Sequence, residues 1–187
     1  MKVQARQRGF TLVETMIVAA LSALLLLGAV MLAKSSNDSY ESVQEDTTAN
    51  FSLRRALTLI SDDMRQSNTM KIVVTDNDST AWDRLDLQVP VSYAASAITW
   101  GAAGTADWHE RILVEDGWLI RRVVDATGTP QRTDEVLARD VDGFLNGEKG
   151  FAVTTADGLY CISLRVTLKR GTRVWRRTET TSVQVRN

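Results

Sequence analysis

The chain has 187 residues, a formal net charge of −1 and a single cysteine. This length suits one membrane helix and one domain of ordinary size. The near-zero net charge supplies no global field that would attract nucleic acid, and a single cysteine excludes an internal disulfide. Cys161 lies in an apolar strand pattern, which favours a small buried side chain over a reactive thiol.

An apolar segment runs from Phe10 to Ala33, and Glu14 is the only ionisable side chain within it. As a helix, this segment is long enough to cross a bilayer core, which needs about 20 residues. The short flank before it carries Lys2, Arg6 and Arg8, and the side after it is mainly acidic, with Asp38, Glu41, Glu45 and Asp46. This asymmetry predicts a single membrane pass with the N-terminus in the cytoplasm.

Two simpler interpretations of the segment stay open. A secretory signal peptide has an apolar core of about 7–15 residues and no carboxylate in it, and this segment is longer. A plain membrane anchor has no reason to place Glu14 inside hydrocarbon, where a carboxylate costs a few kcal/mol and needs a partner. Because no partner is visible in the same segment, we expect one from another chain.

The residues Gly9-Phe10-Thr11-Leu12-Val13-Glu14, after a short basic leader, resemble the N-terminal motif of type IV pilins and type II secretion pseudopilins. The resemblance implies that a prepilin peptidase cleaves between Gly9 and Phe10 and then methylates the new amino group of Phe10. Glycine suits the cleavage position because it lacks a Cβ. The resemblance further implies that Glu14 supports subunit assembly by neutralising the Phe10 ammonium of a neighbour.

Beyond the apolar segment the sequence predicts that the helix continues. Residues 34–50 are polar and weak helix formers, so propensity predicts a frayed or partly melted stretch there. The apolar residues that follow recur at helical spacing and predict an amphipathic helix over about 47–67 that packs on a globular domain: Leu53, Leu57, Ile60 and Met64.

From residue 69 onward the pattern is typical of β structure. Alternating polar and apolar residues predict strands at 70–75, 84–89, 110–115, 117–124, 135–144, 159–169 and 172–185. Asp116-Gly117 and Arg170-Gly171 are expected hairpin turns. The small residues of 91–107 predict a loop. The expected fold is α+β: a long N-terminal helix packed on a mainly antiparallel sheet, as in pilins.

The predicted organisation is a cleaved leader at 1–9, a membrane or filament-core helix at 10–33, an amphipathic helix at 34–68 and a β-rich head at 69–187. The segments 53–67, 118–122 and 135–144 and the C-terminal residues 182–187 resemble PilW-type minor pilins and J-type minor pseudopilins. The lack of a cysteine pair near the C-terminus also favours a minor subunit over the abundant one.

This resemblance implies a structural subunit that primes or caps a type IV pilus or a type II secretion pseudopilus. Such a subunit is a substrate of prepilin peptidase and not an enzyme, and it needs no cofactor. Its expected partners are other minor and major pilins or pseudopilins and the inner-membrane assembly platform. Its expected location is the bacterial inner membrane, with a periplasmic head, and then the filament.

An alternative is a tip-located binding subunit, either an adhesin or a DNA-uptake pilin. The expected binding surface contains Arg173, Trp175, Arg176 and Arg177, since arginines hold phosphates and aromatic rings stack on bases. Further arginines and one lysine are candidates for the same surface: Arg121, Arg122, Arg132, Arg139, Arg165, Lys169 and Arg170. A solvated sheet face, or a docking patch for an acidic neighbour, explains the same residues.

Catalytic and metal sites are not indicated. His109 is the only histidine, and no Ser-His-Asp or Cys-His pattern accompanies it. Zinc needs three or four cysteine or histidine ligands, and the chain has one cysteine and one histidine. The run of residues 76–80 with Asp83 offers oxygen ligands for calcium, but it lacks the turn glycine and terminal glutamate of a helix-loop-helix site, which favours a solvated loop.

Overall fold

The computed structural model describes residues 11–76, 80–94, 97–170 and 173–185. The chain divides into two compact units, Met1–Thr47 and Thr48–Asn187. One α-helix, α1, spans Leu12–Gln66, and a short 3-10 helix follows at Thr69–Lys71. The strands are β1 Ile72–Thr75, β2 Arg84–Leu87, β3 Val89–Ala94, β4 Ala97–Ala102, β5 Thr105–Ala106, β6 His109–Glu115, β7 Trp118–Val124, β8 Glu135–Ala138, β9 Phe151–Ala156, β10 Leu159–Arg170 and β11 Arg173–Gln184. The predicted α+β class is confirmed.

The polar stretch 34–50 is helical throughout, so the predicted fraying is wrong. Its hydroxyl side chains bond to backbone carbonyls one turn earlier, as in Ser39 Oγ to Ser35 O at 2.8 Å and Thr47 Oγ1 to Val43 O at 2.7 Å. These bonds satisfy side chains that would otherwise compete with the helix. Adding residues to an existing helix is also far easier than nucleating one, so weak propensity does not stop α1 here.

In the second unit, the C-terminal part of α1 presents the predicted apolar face to the core. Leu53, Leu57, Ile60 and Met64 are all buried. They form one cluster with apolar residues of two sheets, such as Leu85, Ile112, Leu119, Phe151, Ile162 and Leu164. The amphipathic helix and its packing on β structure are therefore confirmed.

The strands form antiparallel sheets. The largest sheet has the order β1-β2-β6-β7-β8, a second has β11-β10-β9, and a third has β3-β4-β5. A parallel bridge between Trp82 and Phe151, flanked by a 2.9 Å bond from Asp83 N to Phe151 O, joins the first sheet to the second. The predicted β6–β7 hairpin is confirmed: Asp116 and Gly117 have φ of 52° and 77°, as such a turn requires.

Several strand predictions need correction. The predicted loop at 91–107 contains β3, β4 and β5, and its small residues serve close backbone approach: a Cβ on Gly101 would lie 1.9 Å from Thr105 O. The predicted strand at 135–144 ends at Ala138, and β9 was not predicted. Cys161 is only half-buried, in contrast to the expected burial, because it lies on the face of β10 opposite the core.

Candidate assembly and binding sites

The first turn of α1 contains Glu14, and its carboxylate has a partner within its own segment. Glu14 Oε2 accepts hydrogen bonds from Thr11 N at 2.9 Å and from Thr11 Oγ1 at 3.1 Å, and Glu14 N donates to Thr11 Oγ1 at 3.3 Å. This reciprocal arrangement is a capping box, with Thr11 as the N-cap. Thr11 therefore supplies hydrogen bonds to the carboxylate within its own segment but no positive charge, so a charge partner from another chain stays a prediction.

The N-terminal half of α1, on both sides of Glu14, exposes apolar side chains all around the helix. The exposed apolar side chains of this half of α1 include Leu12, Val13, Met16, Ile17, Leu21, Leu24, Leu25, Leu26, Leu27, Val30 and Leu32. The helix is long and apolar enough to cross a membrane, although a signal sequence would meet the same test. Gly9 and Phe10, the predicted cleavage and methylation sites, lie outside the described residues.

Among the described side chains of the predicted Arg/Trp surface, Arg176 faces away from Trp175 and Arg177. Trp175 and Arg177 share one face of β11, where Arg177 approaches Glu179 at 3.8 Å. Arg176 lies on the opposite face and donates to Asp142 Oδ2 at 3.0 Å. The side chain of Arg173 lies outside the described part of the chain. Strand alternation therefore divides the set between two faces.

Several of the additional basic residues expected at this surface have other partners. Arg165 is buried and donates to Gly143 O at 2.7 Å and Glu148 O at 2.9 Å. Arg122 binds Asp134, which lowers the pKa of that carboxyl, and Arg139 stacks on Trp118 at 5.0 Å. Arg132 donates to Ala103 O. The prediction that these arginines extend one continuous basic patch is therefore wrong.

The candidate calcium ligands are used in a different way. Asn77, Asp78 and Ser79 lie outside the described residues. Lys149 Nζ donates to Asp76 and, at 2.6 Å, to the buried Asp83, whose other oxygen accepts from Val153 N at 2.8 Å. Asp83 thus fixes the start of β9 and is not a loop ligand. No set of three potential metal ligands occurs among the described residues.

His109 begins β6, where it is half-buried and paired with Val124. Two surface grooves of the described head, one beside Tyr160 and one between α1 and β11, are not lined by this histidine. Neither Ser163 nor Cys161 shares a hydrogen bond with His109 among those found in the described residues. The geometry therefore adds no observation in favour of catalysis there.

Sequence reasoning missed an ionic cluster where α1 packs on the largest sheet. Arg121 on β7 lies 3.0 Å from Asp63 of α1, 2.6 Å from Glu135 of β8 and 3.6 Å from Glu110 of β6. Burial, followed by the charge of Asp63, raises the pKa of Glu110 to about 7, and burial also raises the pKa of Asp63. These residues are far apart in the chain, so only the tertiary structure reveals them.

We expect this cluster to make the head less stable as pH rises. The folded pKa of Glu110, about 7, exceeds its reference value of 4.5, so the folded state binds the proton more tightly. The stabilisation that the proton on Glu110 gives the folded state is complete below about pH 4.5 and is lost as the pH rises through 7. The free energy of unfolding should fall by about 1–3 kcal/mol between pH 5 and pH 8. Urea unfolding followed by tryptophan fluorescence measures it.

Glu110→Gln should flatten this pH dependence, because the amide does not titrate. Glu115→Gln, at the exposed end of the same strand, is the matched control and should keep it. Equal pH profiles for Glu110→Gln and the wild type would contradict the role of Glu110.

Residues 4–30 match the family model of the prokaryotic N-terminal methylation motif. Comparisons with curated proteins and with solved structures gave no match. The motif supports a pilin or pseudopilin subunit that is processed by prepilin peptidase and assembles with other pilins. The motif and the exposed apolar helix are consistent with anchoring in the inner membrane.

Proposed function

We propose that the chain is a minor pilin or pseudopilin that primes or caps the assembly of a type IV pilus or a type II secretion pseudopilus. The methylation motif over residues 4–30 supports a pilin or pseudopilin subunit, and the resemblance of segments 53–67, 118–122 and 135–144 to minor subunits is the reason for proposing the minor role. In this proposal residues 1–9 are removed as a leader, residues 10–33 enter the membrane and then the filament core, residues 34–68 continue the helix, and residues 69–187 form the head.

The exposed apolar side chains of α1 support the proposed route into a filament. An apolar surface of this extent is unstable in water, so it has to be covered by lipid or by other helices. Transfer from the inner membrane to a bundle of neighbouring subunits exchanges one apolar environment for another. The inner-membrane assembly platform and other minor and major subunits are the proposed partners of this step.

Glu14 is proposed to set the position of a neighbouring subunit. Cleavage after Gly9 would free an ammonium group on Phe10, which is costly in lipid, as is the Glu14 carboxylate. Pairing the two charges between subunits relieves both costs and fixes the axial offset of the helices. The capping box with Thr11 holds the carboxylate in the first turn, so it is available at a defined place.

Mass spectrometry of the chain isolated from membranes tests this function. The expected mature chain begins at Phe10 and carries one methyl group on its amino nitrogen. A mature N-terminus at any other residue would contradict the proposal, because both the motif and the role of Glu14 depend on that cleavage.

Two substitutions at Glu14 separate its charge from its capping role. Glu14→Gln keeps an acceptor for the Thr11 amide and removes the charge, whereas Glu14→Ala removes both. We expect both variants to be cleaved normally and to enter filaments at least tenfold less than the wild type. Immunoblotting of sheared filaments against membranes measures this, and normal incorporation of Glu14→Gln would contradict charge pairing.

A further inference from the structure

The last strand of the head has an unpaired edge. β11 is 12 residues long and forms one margin of its sheet. In the described part of the chain it pairs with β10 and with no other strand. Backbone donors and acceptors along such an edge can bind one more extended strand.

A groove runs between this edge and α1. Its helix side is lined by Leu57 and by a polar stripe, in which Arg54, Thr58, Ser61 and Arg65 recur at spacings of four and three residues. Its strand side is made by Glu179, Thr180 and Thr181. The cavity has a volume of about 280 Å³. An extended chain is thin enough to lie in such a groove.

The charges of the groove favour an acidic occupant. Arg54 and Arg65 stand at its two ends with side chains that are 73% and 58% exposed. Glu179 is the acid in the groove, and Arg54 at 3.9 Å and Arg177 at 3.8 Å share it. Asp62 binds Arg65 from the side at 3.0 Å. The contacts of Arg54 and Arg177 are long and solvated, so they yield readily to a competing carboxylate.

We propose that the β11 edge binds an extended, acidic strand of another protein, which adds to the sheet while its carboxylates reach Arg54 and Arg65. Arg65 follows Arg54 by eleven positions, so the helix separates them by about 16 Å, the length of about five strand residues. The strand would therefore carry acidic side chains near both ends of one face. The proposal depends only on the folded head and is independent of processing at Gly9.

The same charges disfavour a second copy of this chain as the occupant. β11 contains Arg173, Arg176 and Arg177, so pairing two such edges would bring arginines together. Charged side chains on an exposed edge are a known means of preventing self-association. A strand rich in carboxylates is instead attracted by these arginines, so that both backbone pairing and charge favour the complex.

The test uses the full chain in an uncharged detergent and measures fluorescence anisotropy of labelled ten-residue probes. The first probe alternates glutamate and valine, and the second alternates lysine and valine. The third is the glutamate probe with every second amide N-methylated, which removes the donors from one edge. We expect the glutamate probe to bind at least tenfold more tightly than either of the others.

Matched variants locate the binding. Arg54→Glu with Arg65→Glu should weaken the glutamate probe at least tenfold. Arg55→Glu changes an exposed arginine one position along, about 100° around the helix, and should have less than a twofold effect. Equal binding of the N-methylated probe, or no binding of the glutamate probe, would overturn the proposal. Binding of an oligothymidine with the same arginine dependence, in place of the glutamate probe, would overturn it in favour of nucleic acid.

Discussion

Replacing Gly9 with valine should leave the entire population of the chain at its unprocessed length. Glycine lets the backbone enter a narrow catalytic cleft, whereas a β-branched side chain crowds the bond to be cleaved. Because the expected methylation follows cleavage, the variant should also carry no methyl group on Phe10. Gel mobility and the intact mass of the membrane-bound chain measure both effects.

Gly28→Val is the matched control for this experiment. Gly28 lies in α1, and a Cβ built on it has no neighbour within 4 Å. The control chain should be cleaved as the wild type is, since the change lies well after the predicted cleavage site between Gly9 and Phe10. A mature band from Gly9→Val that begins at Phe10 would remove the basis for assigning the cleavage site.

Gly150→Ala should lower the free energy of unfolding of the head by about 3 kcal/mol, at the upper end of typical overpacking costs. A Cβ at this position would lie 1.7 Å from Asp142 O and 2.6 Å from Asp142 C, both backbone atoms that cannot turn aside. The backbone of Gly150 is also held on both sides, by Ala81 O at 3.0 Å and by Arg165 N at 2.7 Å. Chemical unfolding followed by tryptophan fluorescence measures the loss.

Gly143→Ala serves as the control for that substitution. The added Cβ would meet Ala81 Cβ at 3.9 Å, an ordinary contact. We expect its effect to stay below about 1 kcal/mol. If both variants unfold at the same denaturant concentration, close packing around Gly150 is not what fixes the 140–150 segment.

The buried face of α1 was predictable because a helical period survives in the sequence wherever one side meets a core. Fraying was wrongly predicted for residues 34–50 because helix propensity is a weak preference that the growth of an existing helix overrides. Residues 91–107 misled for another reason. Small residues are typical of loops, but around Gly101 they let two strands approach closely.

The candidate sites also differ in whether a local sequence pattern could reveal them. The Thr11-x-x-Glu14 spacing is a capping-box signature, so the sequence already contained the signal for the partner of Glu14. The Glu110–Asp63–Arg121 contacts join residues from three separate elements, and no local pattern announces them. The alternation of side chains along a strand already predicted that the arginines of β11 would be divided between its two faces.

The seam between the two larger sheets has a practical consequence for producing the head alone. The sheets meet at Trp82 and Phe151 through few backbone bonds, while the buried face of α1 belongs to the same apolar cluster as both. A fragment that begins after Gln66 would lack the buried face of α1 and would expose the apolar surface of both sheets. A fragment of the head should therefore retain the chain from Thr48 onward, even though its first residues belong to α1.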